Sequence, residues 1–137
     1  MSKSHLKYFN PNPLYKESKA GKKPKVWRIG DCAVRAVCAA TGMSWETAYL
    51  TMSESAMKAY APFNTLEGFE QVMVDLGFKK VSYPRGQKRE TVNEFAETHK
   101  DMVAIINLAG HYTCVKNGEI LDTWDCGWKT AYNYWVK

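Results

Sequence analysis

A change of periodicity partway along the chain restricts its fold more than any other feature. From Cys32 to Leu76 apolar side chains recur at helical spacing, and from Met102 to Val136 they fall in short strand-like blocks. Asp31 stands as the N-cap of an Ala-rich helix over Cys32–Thr41, with Gly42 in the stop position. Ser44 caps a second helix that carries Trp45, Ala48, Tyr49, Met52, Ala56 and Met57 at helical spacing and ends at Pro62. Thr65 opens a third, with Leu66, Phe69, Val72, Met73 and Leu76 inward and Gly77 as its end. Phe78–Tyr83 alternates as a short strand, and Thr91–Glu94 has capping-box spacing for a helix to about His99. Strands are expected over Met102–Leu108, Tyr112–Lys116, Glu119–Trp124 and Tyr132–Val136, with Asn117-Gly118 as a hairpin turn. The pattern predicts an α+β domain, helices first and a small antiparallel sheet after them.

Residues 1–28 differ from this body. They hold eight Lys and Arg against Glu17 alone, a local charge of +7, while the rest of the chain carries −2 of the net +5. Asn10-Pro11-Asn12-Pro13, Gly21 and Pro24 resist regular structure. The segment reads as a basic extended arm (1–28) on a single domain (29–137), packing through Leu6, Tyr8, Phe9, Leu14 and Tyr15. Lysines interleaved with Tyr8, Phe9 and Tyr15 suit a nucleic-acid backbone. The favoured reading is instead a solvated arm that helps position an acidic partner.

No apolar run reaches the roughly 18 residues that cross a bilayer, and Met1–His5 lacks a signal-peptide stretch. A cytoplasmic chain is therefore expected, with Cys32, Cys38, Cys114 and Cys126 as reduced thiols. There is no C-x-x-C pair, P-loop or G-x-G-x-x-G, so neither a metal nor another cofactor is expected.

Cys32 is the candidate nucleophile, because free N–H groups and the helix dipole at a first turn stabilise a thiolate. Cys38 and Cys114 read as buried hydrophobes, and Cys126, in an Asp-Cys-Gly loop, as a bystander. Of the three histidines, His5 lies in the arm and His99 at a polar helix end, while His111 opens a strand after Ala109-Gly110. Counting back from the hairpin turn sets Lys116 opposite Glu119 and His111 opposite Trp124. Asp122, or alternatively Asp125, is then within reach to orient the imidazole. Trp27, Arg28, Arg35 and Trp124 are candidates for oxyanion or substrate contacts, Arg35 also for a structural ion pair. Trp124 and Trp128 suit either a roof over the site or the core.

Gly30-Asp31-Cys32-Ala33-Val34-Arg35-Ala36, Gly110-His111-Tyr112 and Ile120-Leu121-Asp122-Thr123-Trp124 resemble the Cys helix, the His strand and the following strand of papain-like cysteine peptidases. The likeness is strongest to the bacterial branch that includes bacteriocin-leader peptidases, and extends to small papain-like proteins of bacteria and phages. Asp122-Thr123-Trp124 is similar to the Asn-Ser-Trp element of papain itself. The resemblance runs from about residue 30 to the C-terminus. It implies a papain-like fold and a small cysteine hydrolase acting on a peptide or protein substrate at an amide or isopeptide bond. Cys32 would be its nucleophile, His111 its general base and acid, and Asp122 its orienting residue. Where the family carries an oxyanion glutamine this chain has Val26, and no Gln precedes Cys32. That departure keeps open a catalytically weak papain-fold binding or inhibitor protein, and the basic arm keeps open a nucleic-acid-associated one.

Overall fold

The computed structural model describes residues 4–16 and 23–137. Strand β1 (Leu6–Tyr8) and a 3-10 turn (Pro13–Tyr15) lead into helices α1 (Val26–Ile29), α2 (Cys32–Thr41), α3 (Trp45–Met57) and α4 (Leu66–Asp75). Then come β2 (Lys79–Ser82), α5 (Val92–Thr98), β3 (Val103–Leu108), β4 (His111–Lys116), β5 (Glu119–Asp122) and β6 (Asn133–Val136). The helices begin where the sequence provides caps. Ser44, Thr65 and Thr91 each accept a backbone N–H from the residue three positions on, and Thr91 with Glu94 completes a capping box. Gly42 ends α2 in the left-handed conformation, its N–H on the Cys38 carbonyl.

The six strands form one sheet in the order β1-β5-β4-β3-β6-β2. The central strand β3 lies between β4 and β6 and is covered on both faces, which explains its unbroken apolar run. Ile105 joins a cluster with Val34 and Val37 of α2, Met52 of α3 and Phe69 of α4. Its neighbours Ala104 and Ile106 turn the other way, onto Phe95 of α5, Val115 and Ile120. Two cores thus sandwich the sheet, and α2 presses its N-terminal end against β4.

The sheet departs from the antiparallel one that the sequence suggests. Strand β1 pairs parallel with β5, Leu6 opposite Ile120 and Tyr8 opposite Asp122. This strand comes from the segment read as lacking regular structure. Three residues with Lys7 between two apolar neighbours carry no local strand signal, and their partner lies more than a hundred positions away. The Asn117-Gly118 hairpin has positive φ at both residues and sets Lys116 against Glu119. Strand β5 stops at Asp122 rather than Trp124, because the Thr123 N–H bonds the Asp122 side chain at 2.7 Å. Among the described residues no helix is long and apolar enough to cross a membrane.

Gly68 is a position where helix propensity and packing disagree in sign. In α4, Gly→Ala should by propensity gain about 1 kcal/mol. Here a Cβ at Gly68 would stand 2.0 Å from the Pro62 carbonyl oxygen, which is backbone and cannot move aside cheaply. Gly68→Ala should therefore destabilise the fold by about 1–3 kcal/mol, read as a lowered denaturant midpoint.

Candidate active site

Cys32 is the first residue of α2, half-buried, with its backbone N–H among those the helix leaves unpaired. Gly30, left-handed at φ 68°, turns the chain between α1 and α2. His111 opens β4, is 9% exposed, and meets Cys32 where α2 abuts that strand. Its Nε2 bonds Asp122 Oδ2 at 2.7 Å, which leaves Nδ1 as the ring nitrogen available to the thiol. Asp122, at the end of β5, is 3% exposed. Its Oδ2 also accepts from Thr113 Oγ1 at 2.7 Å and from Cys126 Sγ at 3.7 Å, and its Oδ1 accepts the Thr123 N–H.

The electrostatics match this geometry. Burial acts most strongly on the Cys32 thiol and raises its pKa, but four influences together outweigh it. The His111 hydrogen bond, the Tyr112 N–H and the charges of His111 and Arg35 bring the thiol below its ordinary value. His111 is the complement. Burial opposes its charge, yet bonds to Asp122, Cys126 and Cys32 and the Asp122 charge lift it to about 11. Asp122 is also desolvated and is still held below the usual carboxylate range by His111, Thr113 and the Thr123 N–H. A thiolate–imidazolium pair backed by a carboxylate is the protonation state these contacts favour. By contrast, burial pushes Cys38 to about 11 and Cys114 to about 12, so both remain thiols at neutral pH.

The remaining candidates fall in different places. Asp125 spends its carboxylate on the Gly127 N–H and the Ser4 hydroxyl, each at 3.0 Å. Trp124 is tilted against His111, ring centres 5.0 Å apart, and is not among the residues that line the cleft. Trp27 and Arg28 lie against each other on the exposed side of α1, outside the cleft that holds Cys32. Arg35 is 6% exposed and faces two aspartates, so it does not reach substrate. His99 stacks on Phe95 and His5 pairs with Glu97, away from the thiol. Trp128 is exposed, with Lys129 over its ring.

Four residues that sequence reasoning did not assign to the site belong to it. Thr113 follows His111 by two, on the same side of β4, so the hairpin register already carried its signal. Cys126, read as a bystander, is fully buried against Asp122 because the Asp125 turn folds it inward. Asn12 and Trp45 reach Asp31 from distant segments and had no local signal. His111, Asp122 and Cys126 set three donor atoms within 4.8 Å of one another, a set that could hold a soft divalent metal. Asp122 Oδ2 already receives His111, Thr113 and Cys126, and hydrogen bonding accounts for the spacing.

Cys32 and His111 open onto a cleft of about 910 Å³ between α4 and the sheet. Phe69, Tyr112 and Trp135 give it an aromatic floor, and Glu67, Glu70 and Lys80 charge its rim. Comparison of the chain with protein-family models, curated proteins and solved structures returns no match.

Since His111 is raised from 6.5 to about 11, its imidazolium favours the folded state. That contribution is complete below the unfolded value and fades as pH climbs through the folded one. Cys32, lowered from 9.0, acts in the opposite sense below that value, so the net loss falls between about pH 9 and 11. There the wild-type chain should lose stability relative to a Cys32→Ser/His111→Gln double variant, measured as denaturant midpoints.

Proposed function

We propose that the protein is a small papain-like cysteine hydrolase that cleaves a peptide, amide or isopeptide bond by thiol acylation. The supporting observation is the Cys32–His111–Asp122 arrangement, with Cys32 and His111 lining the cleft and Asp122 buried behind at 2.7 Å from His111. Cys32 thiolate attacks the carbonyl carbon, forming the C–S bond and moving the carbonyl electron pair onto oxygen. The Cys32 backbone N–H, left unpaired by the helix at the start of α2, would donate to that oxyanion. As the intermediate collapses, the C–N bond breaks and the leaving nitrogen takes the His111 proton. His111 then accepts a proton from water, whose oxygen bonds the thioester carbon as the C–S bond breaks, releasing the acid and returning Cys32 as thiolate. Asp122 keeps the imidazole aligned and balances its charge throughout.

One feature favours a second reading, a papain-fold binding protein of low turnover. Gln71 is bonded to Asp75, and among the described residues no glutamine lines the cleft, whose side-chain amides are those of Asn64, Asn107 and Asn133. Absence of one donor typically costs about 10²–10³ in rate.

A small electrophile such as iodoacetamide should label Cys32 ahead of Cys38, Cys114 and Cys126. His111→Ala should slow that labelling by about tenfold or more at neutral pH, since a thiol pKa raised by one unit loses that factor of thiolate. Mass spectrometry of the modified peptides reads the result. Equal rates at all four thiols would sink the hydrolase reading. Selective labelling with no turnover of any peptide or amide library would favour the binding protein.

A further inference from the structure

We propose that Arg35 is a positioning residue for this thiol chemistry, held by Asp31 and through it by Asn12 of the N-terminal segment, and that it fixes Asp122 behind His111. The proposal rests on the hydrolase reading above. Arg35 points back from α2 into the protein and ion-pairs with Asp31 through Nη1, while Nη2 stands 3.6 Å from Asp122 Oδ1. Asp122 Oδ2 is taken by His111, Thr113 and Cys126. With the Thr123 N–H bonded to Oδ1 and the Arg35 charge beside it, both oxygens have partners that hold the carboxylate toward the imidazole.

Asp31 occupies the N-cap position of α2, but its side chain makes no cap hydrogen bond. It turns inward instead, and Oδ2 accepts from Asn12 Nδ2 and Trp45 Nε1, each at 3.0 Å. Asn12 is 8% exposed, and its Oδ1 accepts the Leu14 N–H, so its amide nitrogen must face Asp31. The same segment holds the Asp122 backbone, where the Phe9 N–H donates to the Asp122 carbonyl at 2.9 Å. Asp122 is thus held along two routes by residues 9–12. One is the sheet, and the other is the Asn12–Asp31–Arg35 relay. The charges alternate along the relay: Asp31 negative, Arg35 positive, Asp122 negative, His111 positive, Cys32 negative. Removing Arg35 would leave two buried carboxylates near the thiolate with His111 as the sole cation among the remaining four groups.

The test is the pH dependence of Cys32 alkylation by iodoacetamide in the full chain, with His111→Ala as control and circular dichroism as the check on folding. Arg35→Met should move the thiolate limb up by less than His111→Ala does, and lower the neutral-pH rate about threefold or more. Arg35→Lys keeps the charge and should recover part of that shift. Asn12→Asp is isosteric and retains the oxygen that accepts from Leu14, but sets a carboxylate against Asp31. It should move the limb in the same direction by a smaller amount. Wild-type limbs in both Arg35→Met and Asn12→Asp, with His111→Ala shifted, would overturn the relay and leave the hydrolase reading intact. Should Arg35→Met fail to fold, Asn12→Asp decides alone, a wild-type limb overturning the proposal. Wild-type Cys32 that reacts no faster than Cys126 and ignores His111→Ala would overturn both.

Discussion

Two carboxylates buried beside one guanidinium are the constraint around which this site is built. Asp31 and Asp122 belong to different layers, one at the head of α2 and the other at the end of β5, and Arg35 spans them. Transferring these ions from water is costly, and a well-packed apolar substitute would often be as stable. Removing one partner is another matter, because an uncompensated buried charge typically costs about 3–5 kcal/mol. The arrangement therefore contributes less as net stability than as a specification. The α2 helix docks on the sheet through Val34 and Val37 against Ile105, with Arg35 facing Asp122 and Cys32 beside His111.

The same constraint explains why Asp31 does not cap its helix. A carboxylate at that position would ordinarily bond the first-turn N–H groups and compete there for the dipole's field. By turning toward Asn12, Trp45 and Arg35, Asp31 leaves those donors unclaimed at the place where Cys32 sits. A thiolate, and an oxyanion formed beside it, can then use them. The identity of the residue before the cysteine thus matters for what it vacates as well as for what it binds.

These relations also show which parts of the site the sequence made legible. Cys32, His111 and Asp122 could be placed together because each depends on a local rule: a helix start, a strand start and a hairpin register fixed by Asn117-Gly118. Thr113 followed the same register. The sequence also placed Asp31 at the N-cap, but a cap rule describes one helix and is blind to Asn12, which comes from nineteen residues upstream. Strand β1 was missed for a related reason. Its parallel partner is non-local, and its three residues are too few to show a period. Local chemistry was readable, whereas long-range polar contacts that hold it in place were not.

The cleft adds a last consequence. Activating the thiol and stabilising the oxyanion are separate tasks, and the structure supports them unequally. Thiolate formation is backed by His111, Asp122, Arg35 and the Tyr112 N–H, while the oxyanion has the Cys32 N–H and no glutamine side chain. Attack on an electrophile that forms no tetrahedral oxyanion needs only the first task. Amide cleavage needs both, and an oxyanion donor acts on its transition state alone. For a hydrolase of the kind proposed, reactivity of Cys32 toward alkylating agents and turnover of amides should therefore be decoupled.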